Sequence, residues 1–114
     1  MIDIKNITLV SDSDIEWVDL GNGVRRKIMT YSDELMLTKV AFETGSIGAM
    51  HHHTHLQISY VSKGKFEVII GENKKILAEG DVYFVPSEIL HGVVCLEEGE
   101  LIDVFNPKRE DFLQ

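Results

Sequence analysis

The chain has 114 residues, of which 11 are basic, 19 are acidic and one is cysteine. A chain of this length folds as one domain around a single core, and its net charge of −8 argues against binding to the phosphate backbone of nucleic acids. The lone cysteine excludes an internal disulfide and is typical of a reducing compartment. No stretch approaches the ~20 apolar residues of a membrane-spanning helix, and no signal sequence is evident. We therefore expect a cytoplasmic protein that binds neither nucleic acid nor membrane.

The first 23 residues are predicted to form an N-terminal arm or edge strand, followed by a barrel over residues 24–105 and a tail over residues 106–114. Loose alternation over residues 2–10 favours an edge strand that could pair with a second copy, so we expect a homodimer. Residues 11–14 are a polar turn or a short helix. Trp17 is expected in the core or in a dimer surface.

From residue 21 onward, short apolar stretches alternate with turn residues. Gly21-Asn22-Gly23 is a strong turn signal and Gly71-Glu72-Asn73 a tight reversal, and no segment has a long 3.6-residue period. This alternation of short apolar stretches with turns predicts an all-β sandwich or barrel. The predicted strands span residues 24–30, 35–42, 57–61, 66–70, 75–77, 82–85, 92–96 and 101–105.

Four of the five histidines lie within five residues, at positions 51, 52, 53 and 55, and His91 follows far downstream. Alternate side chains of an extended strand share a face, so His51 and His53 point the same way, and a turn after them can bring Gln57 alongside. A polar loop, or core histidines bonded to backbone carbonyls, would account for any one of them. The whole group predicts a divalent metal site, because imidazole nitrogen is a ligand for zinc, copper, iron and nickel.

Glycine and proline residues complete two motifs around these histidines. The spacing G-x5-H-x-H-x3-Q-x6-G, from Gly45 to Gly64, resembles the first motif of the cupin superfamily, in which Glu usually stands where this chain has Gln57. The segment GDVYFVPSEILHG resembles the second motif, with Glu88 and Cys95 in place of the usual glycine and asparagine. Cys95 is expected to be a small core residue beyond reach of the metal.

The cupin resemblance implies an all-β, single-domain fold, a small double-stranded β-helix or jelly-roll barrel. It also implies that one divalent metal is bound by His51, His53, Gln57 and His91, with His52 on the opposite strand face.

The C-terminal segment LIDVFNPKREDFLQ places Asp103 and Phe105 on one strand face. If that face is interior, Asp103 is a buried carboxylate, which is costly unless it is paired, linked to the metal or functional. If the face is exterior, Asp103 is simply solvated. Pro107 ends the strand, and Arg109 then lies in a loop that either folds over the barrel mouth or stays in solvent, paired with a neighbouring acidic residue.

From Trp17 to Leu113 the chain resembles the pectin-degradation cupins called KdgF. The similarity includes a C-terminal pattern, D-x-F-x-P-x-R-x-D-F, that most small cupins lack. It implies that Asp103, Phe105 and Arg109 line the active site. It also implies an isomerase that linearises 4,5-unsaturated monouronates, small anionic sugars left by lyases acting on pectin or alginate, to 5-keto-4-deoxyuronates.

The residues suit this chemistry. Opening the ring of the unsaturated sugar leaves an enol or enolate that must be protonated at C4. A neutral ligand set leaves the metal its full positive charge to stabilise the enolate. Arg109 can hold the carboxylate bidentately, Asp103 can transfer the proton, and Phe105 can exclude water.

Two other functions fit a small cupin with such a site. One is a metal-dependent dioxygenase with a redox-active iron, and the other is a non-catalytic sugar-binding or regulatory cupin. The same ligands accept zinc, nickel, iron or manganese. Oxygen uptake distinguishes the first alternative, and turnover of an unsaturated uronate distinguishes the second.

Overall fold

The computed structural model describes residues 3–114, and eight strands of this part of the chain form one hydrogen-bonded network. Two short 3₁₀ helices flank them, at Asp12–Asp14 and Glu110–Leu113. The strands are β1 (Val18–Gly21), β2 (Val24–Tyr31), β3 (Met36–Phe42), β4 (Ile47–His51), β5 (Leu56–Ile70), β6 (Asn73–Ala78), β7 (Val82–Val85) and β8 (His91–Asn106).

The two longest strands, β5 and β8, pair antiparallel along their length, and each changes its second partner halfway. In one layer, β7 pairs with the first half of β5, while β3 pairs with the second half of β8 and continues the sheet to β2 and β1. In the other layer, β6 pairs with the second half of β5 and β4 with the first half of β8. Two sheets built on the same two strands make a jelly-roll barrel, which confirms the predicted fold class.

Both long strands bend where Gly64 faces Gly99. A Cβ atom on Gly64 would lie 2.6 Å from the Cα of Gly99, and one on Gly99 would overlap the carbonyl oxygen of Lys63. Only glycine permits so close an approach of two backbones. The pairing register also shifts three times between Val61 and Phe66, as expected of bulges that carry a strand around a barrel corner.

The prediction of separate strands over residues 57–61 and 66–70, and over 92–96 and 101–105, is therefore wrong. Each pair is one continuous strand, because the glycines between them produce bulges instead of turns. Strands β1 and β4 were not predicted from the sequence. β1 is short and exposed, and β4 contains Gly48 and Ala49, which have low strand propensity.

An apolar cluster fills one half of the barrel. Its centre is the edge-to-face pair Phe42 and Phe66, with ring centroids 5.3 Å apart, and Cys95 is buried in the same cluster as expected. Fully burying an aliphatic or aromatic side chain contributes about 1.5–3 kcal/mol. This half of the barrel therefore gives a rigid support to the polar half described next.

A row of polar residues crosses the first layer. Asp103 on β8 lies opposite Thr38 on β3 and opposite Ser59 on β5, and Ser59 lies opposite Tyr83 on β7. Directly opposite residues project to the same sheet face, and Thr38, Ser59 and Asp103 are all buried. The fold thus places a carboxyl and three hydroxyl groups in the barrel interior.

The N-terminal segment differs from the prediction. Residues 3–10 form no strand but only one parallel bridge, between Lys5 and Tyr31, while Ile2, where the predicted strand begins, lies outside the described residues. Trp17 is half-buried, with the Arg25 guanidinium 5.0 Å and the Lys27 ammonium 4.6 Å from its ring centroid. Among residues 3–114 no helix is long and apolar enough to cross a membrane.

Candidate metal centre and active-site cavity

Three histidines converge at one end of the barrel. His51 is the last residue of β4 and pairs with His91, the first residue of β8, while His53 follows in the turn before β5. One ring nitrogen of each lies within 4.8 Å of those of the other two. His53 is not on a strand, so the predicted alternation between His51 and His53 is not what aligns them. The turn does so instead.

Each of the three imidazoles is oriented by a backbone carbonyl two residues away. Nδ1 lies 2.8 Å from the Ala49 oxygen in His51, 3.0 Å from the His55 oxygen in His53 and 2.9 Å from the Ile89 oxygen in His91. A carbonyl only accepts, so Nδ1 carries the proton and donates it. Nε2 is then the unprotonated nitrogen in each ring, and this arrangement is typical of histidine metal ligands.

His91 gives independent evidence that these histidines are suited to bind a metal. Its Nε2 atom is buried and has no hydrogen-bond partner among the described residues. Burial lowers the pKa of His91 to about 4, so the ring is neutral and its lone pair is available. A buried acceptor without a partner costs about 1–3 kcal/mol, and a bound cation would offset that cost.

Gln57 fits the same interpretation. Its Oε1 lies 3.0 Å from Nε2 of His53, and its amide Nε2 donates to the hydroxyl of Ser59 at 2.9 Å. Because Nδ1 of His53 is the protonated nitrogen, two acceptors face each other at that distance. Two acceptors so close are favourable where both bind one cation. Three imidazoles and one amide make a neutral site that suits a divalent transition metal.

The remaining histidines lie outside this group. His52 is exposed, and its Nδ1 is 3.5 Å from the carboxylate of Glu88. Nε2 of His55 is 3.1 Å from the carbonyl of Lys108. Glu88 takes the place of the motif's usual glycine and adopts the left-handed φ of +66° that such a turn requires. Its amide donates to the carbonyl of His53 at 2.8 Å, so the turn keeps its form and positions His53.

Asp103 is buried beside the candidate metal ligands, with which it lines one cavity. Ser59 donates to its Oδ1 at 2.5 Å. Burial raises the pKa of Asp103 to about 6, while the Ser59 hydrogen bond and the charge of Arg109 act in the opposite direction. A carboxyl whose pKa lies near neutrality can both accept and donate a proton, which is what a proton-transfer group needs.

Two groups around this carboxyl, Ser59 and Tyr83, were not predicted from the sequence. Ser59 hydrogen-bonds to Asp103, and the half-buried Tyr83 lies directly opposite Ser59 on β7. Burial, and after it the charge of Asp103, raise the pKa of Tyr83. Ser59 follows Gln57 by two residues on β5, so strand alternation alone would have placed it on the metal-facing side. Tyr83 has no comparable sequence signal, because its position depends on the pairing of β7 with β5.

Arg109 lies over the mouth of the barrel and is buried. Its guanidinium is 5.0 Å from the ring centroid of Phe105 and 4.2 Å from that of Phe112. Nε and Nη2 donate to the two carboxylate oxygens of Asp111 at 3.0 and 2.8 Å. The sequence left open whether the loop that carries Arg109 folds over the mouth or stays in solvent. The loop folds over the mouth, and Arg109 nevertheless pairs with an acidic neighbour.

These groups surround one cavity of about 200 Å³. Six of the seven predicted site residues line it, and the seventh, His53, lies against His51 and His91 with ring centroids 5.5 and 4.7 Å away. A larger recess of about 480 Å³, bordered by Trp17, Arg25 and Glu43, contains none of the predicted site residues. The lining residues discussed here are His51, Gln57, His91, Asp103, Phe105 and Arg109, together with Arg26, Tyr83 and Phe112.

Comparison with known proteins agrees with this geometry. The family described as "Cupin domain" matches residues 38–105. The pectin degradation protein KdgF of Dickeya dadantii (strain 3937) is 52% identical over 104 residues, which cover 90% of this chain and 94% of that protein. The structure of KdgF from Halomonas sp. superposes with a TM-score of 0.89 at 36% identity, covering 92% of this chain and 99% of that one. An RmlC-like cupin from Shewanella frigidimarina NCIMB 400 gives a TM-score of 0.87 at 42% identity, covering 90% and 92%.

Proposed function

Because the chain belongs to the cupin superfamily and, within it, to the family of the pectin degradation protein KdgF, we propose that it is an enzyme of pectin breakdown. Its reaction is the linearisation of 4,5-unsaturated monouronates to 5-keto-4-deoxyuronates. The observation that carries this proposal is the cavity itself. Two histidines of the three-histidine group, the buried carboxyl of Asp103 and the buried guanidinium of Arg109 line this common volume.

The cavity suits a small ligand. At about 200 Å³ it lies below the ~300–1,000 Å³ typical of sites for drug-sized molecules, so a monosaccharide is a better match than an oligosaccharide. Two arginines, Arg26 and Arg109, line it, which favours an anionic sugar even in a protein whose net charge is −8.

The reaction needs one proton to be moved twice. Loss of the proton from the hydroxyl at C1 forms the aldehyde and breaks the bond between C1 and the ring oxygen. The electrons of that bond leave an enolate at C5, and protonation of C4 completes the 5-keto product. Atoms and charge balance, so a single group that takes the first proton and returns it to C4 is sufficient.

Asp103 is that group in our proposal. Its pKa of about 6 leaves it largely ionised at neutral pH, ready to accept the C1 proton, yet basic enough to hold it briefly. Ser59 fixes the carboxylate in place through Oδ1. The other carboxylate oxygen remains for the substrate.

His51, His53, Gln57 and His91 would hold the metal. When bound, a divalent ion supplies positive charge that stabilises the enolate and its carboxylate, and a neutral ligand set leaves that charge undiminished. Phe105 is buried between His53 and Arg109, where its ring excludes water from one side of the cavity.

The test is direct. Purified protein loaded in turn with zinc, nickel, iron or manganese is incubated with unsaturated galacturonate, and loss of the conjugated chromophore is followed together with oxygen uptake. We expect turnover without oxygen consumption. Oxygen consumption would indicate a dioxygenase, and stoichiometric binding without turnover would indicate a sugar-binding cupin. Either result would overturn the proposal.

We also propose that the protein works in the cytoplasm as a homodimer. The outer face of β5 and β7 carries Ile58, Tyr60, Val82 and Phe84, all at least 43% exposed and arranged as two cross-strand pairs. A contiguous apolar surface of this kind is typical of an interaction site. Light scattering coupled to gel filtration should give the dimer mass for the parent and the monomer mass for Phe84→Lys. Ile76→Lys, at an exposed position on β6, is the control and should stay dimeric.

A further inference from the structure

Strand β2 presents two arginines in succession, and they face different environments. Val24 and Arg26 line the active-site cavity, whereas Arg25 borders the larger recess and lies over Trp17. Alternation along a strand separates them in this way. No sequence motif singles out either residue, because Arg25, Arg26 and Lys27 form only a short basic run.

The guanidinium of Arg26 lies 3.7 Å from the ring centroid of Phe112, and Arg109 lies 4.2 Å from the same centroid. The aromatic ring therefore contacts two guanidinium groups. Contact with a ring orients a guanidinium and leaves its N–H groups free to bind other partners. Phe112 belongs to the C-terminal 3₁₀ helix, so the same segment that carries Arg109 also positions Arg26.

The two arginines differ in what they bind. Arg109 already donates two hydrogen bonds to Asp111. Arg26 has no hydrogen bond and no ion pair from its guanidinium within residues 3–114, although the residue is half-buried. Burial and then the charge of Arg109 lower its pKa, and the Asp111 carboxylate opposes this only in part. A guanidinium desolvated beside another cation is stabilised by binding an anion.

We propose that Arg26 is a further specificity-determining residue, which binds the carboxylate of the uronate substrate through its free N–H groups. Asp111 already occupies the Nε–Nη2 edge of the Arg109 guanidinium, so only the Nη1–Nη2 edge remains for a second carboxylate. Arg26 gives up no partner among residues 3–114, and both edges of its guanidinium remain to bind the substrate. A planar carboxylate matches two parallel N–H groups of one guanidinium. Asp111 holds Arg109 in place beside it, so Arg109 contributes positive charge and closes the cavity mouth. This inference rests on the proposed function for the identity of the ligand.

The kinetic test compares Arg26→Gln with Arg25→Gln, an adjacent substitution on the opposite strand face. For metal-loaded enzyme acting on unsaturated galacturonate, Arg26→Gln should raise KM by about 10- to 100-fold, the range for losing a hydrogen bond to a charged group. Its kcat should stay within about threefold, because the carboxylate interaction is present in both the ground and transition states. Arg25→Gln should behave as the parent. An unchanged KM in Arg26→Gln would overturn the assignment.

A binding experiment separates this inference from the proposed function. Calorimetry on the metal-loaded protein measures the affinity for saturated galacturonate, and the affinity for neutral galactose is the uncharged comparison. If the parent shows no turnover, the proposed function fails. Arg26 is still supported if galacturonate binds more tightly than galactose and this preference is lost in Arg26→Gln but kept in Arg25→Gln. A parent without that preference would overturn the role of Arg26.

Folding of the variants is checked by thermal melting and metal content. If Arg26→Gln does not fold, Arg26→Lys tests whether Arg26 binds the carboxylate bidentately. Lysine keeps the positive charge over Phe112 but offers a single point charge in place of two parallel donors. We expect Arg26→Lys to fold and to show an intermediate rise in KM. A Lys variant with parental KM would show that charge alone suffices and would contradict bidentate binding by Arg26.

Discussion

The hydroxyl of Ser59 donates a hydrogen bond of 2.5 Å to Asp103 and accepts one of 2.9 Å from the amide of Gln57. A single side chain thus connects a predicted metal ligand to the group proposed to move the proton. The direction of both hydrogen bonds is set by the partners of Ser59, because Gln57 Nε2 only donates and the Asp103 carboxylate only accepts. The candidate metal centre and the carboxyl are therefore positioned together and not independently.

Ser59→Ala should shift the pH profile of the enzyme. The hydrogen bond from Ser59 lowers the pKa of Asp103, so its loss raises that pKa further. In the proposed mechanism the ionised carboxylate starts the reaction, so the acidic limb of kcat/KM should move to higher pH. Ser62→Ala is the matched control, because Ser62 bonds to Glu100 away from the cavity and should leave the limb in place. If the acidic limb of kcat/KM stays at the same pH in Ser59→Ala, ionisation of Asp103 is not the origin of that limb.

Asp103→Asn should abolish most of the activity. Asparagine preserves the volume and much of the hydrogen bonding but cannot transfer a proton near neutral pH. We expect kcat to fall by about 100-fold or more, the usual range for losing a general acid or base, with metal content unchanged. A variant that turns over unsaturated uronate at the parental rate would place the proton transfer elsewhere.

The same substitution should stabilise the metal-free protein at high pH. The folded-state pKa of Asp103, about 6, exceeds the ordinary value of 3.8, so folding favours the protonated form. That contribution is complete below pH 3.8 and is lost as the pH rises through 6. Relative to the parent, Asp103→Asn should therefore gain about 2–3 kcal/mol of unfolding free energy between pH 4 and pH 8, measured by urea denaturation. A pH-independent difference would contradict a costly buried carboxylate.

Metal binding should depend on His91 but not on His52. His91→Ala removes a buried Nε2 atom that has no other partner, whereas His52 is exposed and only approaches Glu88. By elemental analysis after dialysis, the first variant should lose most of its metal and the second should keep a parental content. Equal losses in the two variants would refute the proposed ligand set.

Gln57→Glu tests whether the neutral site matters. The added charge should retain or strengthen metal binding, but it places a negative group beside an anionic substrate. The Glu side chain can also no longer donate to Ser59. We expect KM to rise or kcat to fall by about tenfold or more. Full activity in this variant would mean that ligand charge has little influence.

Glu88→Gly should raise the melting temperature. A non-glycine residue at φ +66° carries a strain of roughly 1 kcal/mol, and the exposed ion pair with His52 contributes little in return. For a domain of 114 residues, a gain of that order corresponds to about 4 °C. Glu72→Gly, in an exposed turn, serves as the comparison and should show no such increase. A lower melting temperature for Glu88→Gly would mean that the side chain is needed to hold the turn.

The sequence by itself determined the family, the fold class and the residues grouped at the metal centre. It could do so because motif spacing is a local property, and histidines grouped within a few residues need only one turn to converge. The interior position of Asp103 was left open, since strand alternation alone does not say which face is buried.

Only the tertiary structure decided the contacts that join distant segments. Ser59 hydrogen-bonds to Asp103 because β5 pairs with β8, and Tyr83 lies beside them because β7 pairs with β5. The guanidinium of Arg26 contacts Phe112 beside the cavity because the C-terminal helix folds back towards β2. These relationships depend on the register between strands and on how the barrel closes, and neither is a property of any one stretch of sequence.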